Sequence, residues 1–277
     1  MEKYNEKYKY KSSEISKILG ISVDTLRYFE KAGIISPTVN PANNYRYYDS
    51  WDITFLVEYK FFRSMEYSMS EVIDIQQRDN VSSLIEKISS RTAYFRDKKV
   101  YYTNLEKCNQ KRAELMQQIP EQLNKIYFRH VDAIDYFYHR HGDQYNFINQ
   151  GLEIMPEWLE YFSFLNRILH VSPEWFENAA SQRNCYDSGF SIETEYADIF
   201  QLKRDKNCYH LPACEAVCTI VRANGSGTFS LHLLDELREY IESNHLKIQG
   251  EYYANVLART HEEDGFARFW EFFVPLC

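Results

Sequence analysis

Long apolar runs are missing from this sequence. No stretch of its 277 residues approaches the ~18 consecutive apolar residues of a membrane span. The opening MEKYNEKYKYK also has no apolar core of the kind that marks a secretory leader. Paired cysteines are missing too: Cys108, Cys185, Cys208, Cys214, Cys218 and Cys277 form no CxxC pair, which favours reduced thiols over a disulfide frame. Cys214 and Cys218 lie close together, but the β-branched apolar run around them reads as a strand and not as a zinc loop. His130, His139 and His141 gather near one predicted strand as candidate acid/base groups, yet no nucleophile and base stand at a diagnostic spacing. These absences argue against a helical membrane protein, a metal centre and a catalyst. The expectation is a cytoplasmic chain without a cofactor.

What is present is apolar and aromatic. A hydrophobic content of 44% supports a sizeable core and, at this length, two domains. Aromatic residues make up 16%, with 23 tyrosines, side chains that line pockets, cover interfaces and stack on flat ligands. Charge is uneven. Residues 1–63 hold ten Lys/Arg against eight Asp/Glu, a local excess of +2 in a chain whose formal net charge is −8. A module that binds nucleic acid therefore belongs at the N-terminal end.

The helical period in SSEISKIL places Ile15, Ile18 and Leu19 on one face, with Ser12 or Ser13 as the cap and Gly20 as the stop. Ser22 caps a second predicted helix, VDTLRYFEKAGII, around which Val23, Leu26 and Phe29 or Glu30 recur before Gly33 ends it. Two short helices about a glycine turn make a helix-turn-helix. Pro37 and Pro41 then mark a loop, Asn43-Asn44 a turn, and Tyr45-Arg46-Tyr47-Tyr48 the returning edge of a wing. Asp49 or Ser50 caps a third helix whose Ile53, Leu56, Val57, Tyr59, Phe61 and Phe62 form one broad apolar face, and a fourth begins near Met69. From Val81 to Ile119 runs a polar stretch without Pro or Gly; alternating steps of three and four from Val81 to Met116 touch eleven positions, of which Val81, Leu84, Ile88, Phe95, Tyr102, Leu105 and Met116 are apolar or aromatic and Arg91, Lys98, Asn109 and Arg112 are not. That is an imperfect coiled-coil seam, so a homodimer is expected. Pro120 closes it.

The rest reads as strand (125–138), helix (156–170), strand pair (188–202), strand (214–222), helix (228–245), strand (252–258) and strand (266–274). The order strand-helix-strand-strand occurs twice, and the fold class is α+β. Three regions follow: 1–80, 81–119 and 120–277.

In a winged helix-turn-helix the second helix enters the major groove and the wing follows the neighbouring backbone. Asp24 and Thr25, on the first turn of that helix, are candidates for base edges. Arg27, Tyr28, Arg46 and Tyr47 suit phosphates, with Lys60 and Arg63 as flanking clamps.

The span SSEISKILGISVDTLRYFEKAGIISPTVNPANNYRYYDSWDI resembles the DNA-binding domain of the MerR family of transcriptional regulators, whose pattern is helix, glycine turn, TLRYYE-like helix, GL(I/L)-P loop and (N/G)YRxY wing. Phe29 stands where a tyrosine is commoner, which removes one hydroxyl from the expected site. The resemblance implies an antiparallel coiled-coil dimer on double-stranded promoter DNA with an overlong spacer. The protein would bend and untwist that DNA, acting on RNA polymerase indirectly. Metal-sensing members carry cysteine ligands near the end of the dimerisation helix, where this sequence has Cys108 alone.

The twofold strand-helix-strand-strand layout and residues such as LPACEAVCTIV resemble a GyrI-like effector-binding domain of the multidrug-sensing kind. That resemblance implies an aromatic cleft for a flat small-molecule effector, balanced by a buried carboxylate. Here Tyr253 stands at the acid's expected place, so the effector is expected to be aromatic or hydrophobic, or else Glu251 or Glu271 substitutes. By strand alternation Ile134, Tyr136 and Tyr138 share one face and Phe269, Glu271 and Phe273 another, either set a candidate lining. The alternative reading is a GyrI-like hydrolase or drug-sequestering protein that binds DNA to regulate itself.

Overall fold

The computed structural model describes residues 9–142, 144–145, 154–176, 186–224 and 230–277, which leaves Cys185 and the predicted helix start at 228–229 outside the described residues. The chain divides into two compact units, Met1–Lys99 and Val100–Cys277.

The first unit begins with β1 (Tyr10–Lys11), α1 (Ser12–Leu19) and α2 (Val23–Lys31). A hairpin of β2 (Thr38–Val39) and β3 (Arg46–Tyr48) follows, with β1 on its other side so that Tyr10 faces Tyr48 and Thr38 faces Tyr47. Then come α3 (Ser50–Ser64), α4 (Met69–Arg78) and the start of α5 (Val81–Gln117). Ile15, Leu26, Phe29, Tyr48 and Leu56 are all buried in one core. Gly20 ends α1 at φ 62, a left-handed turn that a side chain resists.

Three local expectations change, and a fourth is resolved between its two alternatives. Helix α1 is capped at Lys11, whose N–H donates to Glu14 Oε2 at 2.7 Å, so Ser12 and Ser13 lie inside the helix. Ile18 is 69% exposed, because a helix this short buries only the narrow stripe through Ile15. Val57 and Phe61 point outward from α3, whose buried positions are Asp52, Leu56 and Phe62. Asp49 is the cap of α3: its Oδ1 accepts from the N–H groups of Trp51 and Asp52, and Asp52 reciprocates by accepting from the Asp49 N–H.

Helix α5 is continuous over 37 residues and stops at Gln117, short of the predicted end. Pro120 sits in the first turn of α6 (Ile119–Gln122), where its missing N–H leaves no intrahelical bond unmade.

The second unit is built on one antiparallel sheet. Its strands are β4 (Ile126–Val131), β5 (Ile134–His141), β6 (Asn166–Val171), β7 (Asp187–Glu193), β8 (Tyr209–Leu211), β9 (Cys214–Asn224), β10 (Tyr252–Glu262) and β11 (Gly265–Pro275). Their order is β4-β9-β11-β10-β6-β7-β5-β8. The helices are α7 (Met155–Leu159), α8 (Thr194–Ile199) and α9 (Asp235–Ser243). Two halves, β5-α7-β6-β7 and β9-α9-β10-β11, carry the repeated strand-helix-strand-strand order and meet where β6 pairs with β10. The edges are exchanged: β4, which precedes the first half in sequence, pairs with β9 of the second.

The segment 125–138, expected as one strand, is two strands broken at Asp132-Ala133. Of the expected helix 156–170 only the part of α7 up to Leu159 and a single 3-10 turn at Phe162–Phe164 are helical. Beyond them Ile168 and Leu169 are buried on opposite faces of β6, so the alternation that would have marked a strand is absent. The second member of the strand pair expected at 188–202 is helix α8, whose Tyr196 and Ala197 are buried.

The connections curl this sheet. Asp132-Ala133 leads from β4, at one end of the strand order, to β5, next to the other end, and Pro212-Ala213 leads from β8 back to β9. Each two-residue link spans three Cα–Cα steps, about 10 Å at most, so the two ends of the sheet must lie close together. One face therefore turns inward and buries Tyr136, Tyr138, Ile168, Cys218, Tyr253 and Phe273. On the outer face α7 and α8 cover Phe137 and Ile192, and α9 covers Leu169, Ala254, Trp270 and Phe272.

Candidate nucleic-acid interface and ligand cavities

Helix α2 turns Leu26 and Phe29 inward, which leaves Asp24, Arg27 and Tyr28 on its exposed side. Arg27 Nη1 lies 3.5 Å from Asp24 Oδ1, a solvent-exposed pair worth little by itself. Thr25 serves the cap: its N–H donates to Ser22 Oγ at 3.0 Å and its hydroxyl shares a 2.8 Å hydrogen bond with the same oxygen. Phe29 meets Tyr59 edge to face at 4.7 Å in the core. The hydroxyl that a tyrosine would carry there belongs to packing, which corrects the expectation that its loss alters the site.

The wing is shaped by asparagines. The Asn40 N–H donates to Tyr45 O (2.9 Å), the Asn44 N–H donates to Asn40 O (2.8 Å), and Asn43 Oδ1 accepts from the Tyr45 N–H (3.0 Å). Asn44 has φ 56, a left-handed conformation that asparagine tolerates better than most residues. Arg46 Nε donates to Glu30 Oε2 at 2.7 Å, which ties the wing to the end of α2. That hydrogen bond first, and the carboxylate's charge second, raise the Arg46 pKa above its ordinary value. The tyrosines around Arg46 divide by side. Tyr45 is exposed, Tyr47 half-buried, and Tyr48 fully buried with its Oη accepting from Ser12 Oγ at 3.5 Å, so Tyr48 packs and offers no surface donor. Lys60 is exposed on α3. Arg63 is exposed as well, but its Nη1 donates to Tyr67 O, which fastens the turn after α3.

In the second unit the predicted pocket residues gather and close on one another. Tyr136 and Tyr253 share a 3.2 Å hydroxyl hydrogen bond, Tyr253 stacks on Phe273 at 5.4 Å, and Tyr138 stacks on His170 at 5.4 Å. Burial pushes the hydroxyl pKa of Tyr136, Tyr138 and Tyr253 upward, which keeps all three neutral donors. Tyr209 lies over Tyr136 and Tyr138 and is 48% exposed, the outermost ring of the layer.

Glu271 has no solvent exposure and is already matched. Arg129 Nε and Nη2 donate to its two oxygens at 2.7 Å each, and Tyr127 Oη donates to Oε1 at 2.8 Å. Glu251 Oε2 accepts from His170 Nε2 at 2.6 Å. His170 Nδ1 donates to Asp187 Oδ2 at 3.2 Å, and Asp187 Oδ1 lies 2.9 Å from His141 Nδ1. Phe269 stands apart from this cluster, at an open depression of about 550 Å³ beside Pro120, Leu123 and Arg222. Neither His130 nor His139 joins the carboxylate chain. His130 meets Glu215 at 2.9 Å, and His139 stacks on Tyr145.

Sequence reasoning missed Arg129, Tyr127, His170 and Asp187. The first two had a signal, since alternation along β4 puts both on the face that Glu271 occupies once the strands pair. The histidine and aspartate come together only through the β5-β7-β6 register. Also missed was a cavity of about 320 Å³ on the outer face, lined by Arg140, Arg167 and Arg259 together with His139, Tyr145 and Trp270.

Against known proteins, residues 10–79 match the family described as MerR HTH family regulatory protein. The HTH-type transcriptional regulator HmrR of Sinorhizobium medicae is 30% identical over 80 residues, 27% of this chain and 54% of that protein. The HTH-type transcriptional regulator SkgA of Caulobacter vibrioides is 30% identical over 63 residues, 23% of this chain and 25% of that one. The matched part thus spans a quarter to about half of these relatives. Among solved structures, EcmrR in its DNA complex aligns with 97% of this chain and 100% of its own at 16% identity and a TM-score of 0.38. The first unit carries a MerR-type helix-turn-helix, joined through a long helix to an antiparallel sheet domain.

Proposed function

We propose that this chain is a ligand-responsive transcriptional regulator. In this reading it binds a palindromic promoter as a homodimer and distorts the DNA when a small molecule occupies residues 120–277. The observation that carries the reading is the wing tied to the recognition helix: Asp24, Arg27 and Tyr28 exposed on α2, with Arg46 held beside them by Glu30. Glu30 engages Nε, which orients the fork of the guanidinium, and the terminal nitrogens supply the phosphate contact. Arg27, Tyr47, Lys60 and Arg63 extend the phosphate track, while Asp24 and Thr25 meet base edges.

The effector reading is supported by a layered aromatic interior in which Tyr209 is the ring a flat molecule would displace to reach Tyr136, Tyr138, Tyr253 and Phe273. Glu271 is unsuited to receive a cation while Arg129 holds both of its oxygens, and Glu251 is the carboxylate nearer to solvent. The rival reading as a hydrolase draws on the Glu251-His170-Asp187-His141 chain, a carboxylate–imidazole relay in need of a nucleophile.

The test is binding of the full chain to DNA upstream of its own gene, with salt varied. Arg46→Ala is expected to weaken binding and to lower the log–log salt slope of the dimer by about 1.8, one phosphate contact from each protomer. Glu30→Ala, which loosens Arg46 without removing it, is expected to weaken binding with a smaller change of slope. Stronger binding by Glu30→Ala would mean that Arg46 is occupied by Glu30 and not presented by it. No specific binding by the wild-type chain would overturn the regulator reading.

A further inference from the structure

In a chain with 40 acidic and 32 basic residues, a cavity lined by arginines alone among charged residues is unexpected. Arg140 on β5, Arg167 on β6 and Arg259 on β10 converge on the outer-face cavity of about 320 Å³, and no Asp or Glu is among its described lining residues. None of the three forms an ion pair with a described carboxylate. The Nε atom of Arg140 is buried and has no hydrogen-bond partner.

The β10-β11 register also sets Arg259 directly opposite Arg268, and like charges at facing positions of an antiparallel pair repel. Partial burial first, and then the positive charges of Arg167, Arg268 and Arg140, hold the Arg259 pKa below its ordinary value. A fold that gathers like charges around a void loses stability by doing so, unless something of opposite charge enters.

The walls narrow the choice of occupant. His139 stacks on Tyr145 with ring centroids 5.6 Å apart and planes at 11°, and Phe190 packs against His139 at 5.2 Å. Burial first, and the neighbouring Arg140 charge second, lower the His139 pKa, so this wall is an uncharged aromatic ring near neutrality. Trp270 also lines the cavity, and the guanidinium of Arg140 already lies 5.2 Å from the Tyr145 ring. The volume is at the lower end of the roughly 300–1,000 Å³ typical of small-molecule pockets. It suits a single substituted ring better than a fused polycycle.

We propose that this cavity binds a small aromatic anion, a planar ring bearing carboxylate or phosphate groups that the three guanidinium groups clasp while the ring stacks on His139 and Tyr145. This lies on the face of the sheet opposite the aromatic interior. It adds a second small-molecule site to residues 120–277, and only its role as an effector site rests on the reading of that region as a sensor.

The test uses the full chain without DNA, with titration calorimetry of phthalate, phenyl phosphate, benzamide and benzamidine. Saturable binding of phthalate or phenyl phosphate is expected, with neither benzamide nor benzamidine bound. The double variant Arg167→Gln/Arg259→Gln is expected to bind the anion at least about tenfold more weakly. It is also expected to melt at a higher temperature than the wild type in the absence of ligand, because the repulsion is relieved. Failure of both anions to bind, equal binding of benzamide, or undiminished binding by the double variant would overturn the site. A double variant that melts lower without ligand would overturn it as well, since the arginines would then serve packing. Operator binding measured separately keeps the readings apart. Anion binding without any change at the operator leaves the site standing and removes the effector role, whereas operator binding without anion binding removes the site alone.

Discussion

Burying a carboxylate is costly unless both oxygens find partners, and Glu271 shows how completely that can be done. A bidentate arginine and a tyrosine hydroxyl saturate it inside the curled sheet. Arg129→Met is expected to destabilise the chain by about 3 kcal/mol, the lower end for breaking a buried pair because Arg129 keeps 22% of its side chain exposed. Adding Glu271→Met should return most of that loss, and urea unfolding of the two variants checks both statements.

The imidazole of His170 behaves differently because it can titrate. Burial alone would lower its pKa, but hydrogen bonds to Asp187 and Glu251 carry it above the ordinary 6.5. Asp187, pushed up by burial, is pulled below its ordinary 3.8 by His170 and His141. A raised histidine contributes stability that is complete below pH 6.5 and is lost as pH rises through the higher folded value. A depressed aspartate contributes stability present above pH 3.8 and lost as pH falls through the lower one. Thermal midpoints of the wild type are therefore expected to fall as pH rises above 6.5, and His170→Gln should flatten that decline. An unchanged slope in His170→Gln would assign the alkaline loss to another group.

At the scale of the element, α5 is the clearest case of an unfinished surface. Val81, Ile88, Phe95, Tyr102 and Met116 recur every seven residues, with Asn109 at the one position between Tyr102 and Met116, and all five large side chains are at least 39% exposed. A stripe of this period needs a second helix. Phe95→Lys is expected to shift the dimer–monomer equilibrium toward monomer by at least about tenfold in sedimentation equilibrium, one buried aromatic being worth more than the ~1.4 kcal/mol that a factor of ten requires. Equal dimer stability in the variant would move the interface elsewhere.

This helix, the wing and the helix-turn-helix were legible in the sequence because their signals are local: a seven-residue period broken at Asn109, an Asn-Asn turn, a Gly stop and a Ser cap. The β4/β5 break and β6 were not legible as such. A strand buried on both faces shows no alternation, so Ile168-Leu169 reads as well in a helix as in a strand. The candidate site divides along the same line. Asp24, Arg27, Tyr28 and Arg46 follow from one contiguous motif. The arginine cavity draws on β5, β6 and β10, whose adjacency is written in no local pattern. Even Glu30, close to Arg46 in space, was read as a helix residue and not as its anchor.

On the scale of the whole molecule, the two units differ in how far apart in sequence their contacts lie. The first is made of neighbours: the β1-β3-β2 sheet and the helices around it close within residues 10–78. The second is made of distant partners, because among the described residues β4 pairs with β9 alone and the strands of the two halves are joined in the sheet where β6 pairs with β10. Such non-local pairings form slowly, since a long loop must close before they contribute. On the ribosome the order of events follows. The first unit has everything it needs while the sheet is still being made, whereas β4 emerges early as an unpaired edge and waits until β9 has been synthesised. During that interval its Tyr127 and Arg129 have no Glu271 to hold, and an unpaired strand of this kind is a template for intermolecular association. The exchanged edge that locks the finished sheet is thus also the stage of its birth at which the chain has most need of a chaperone.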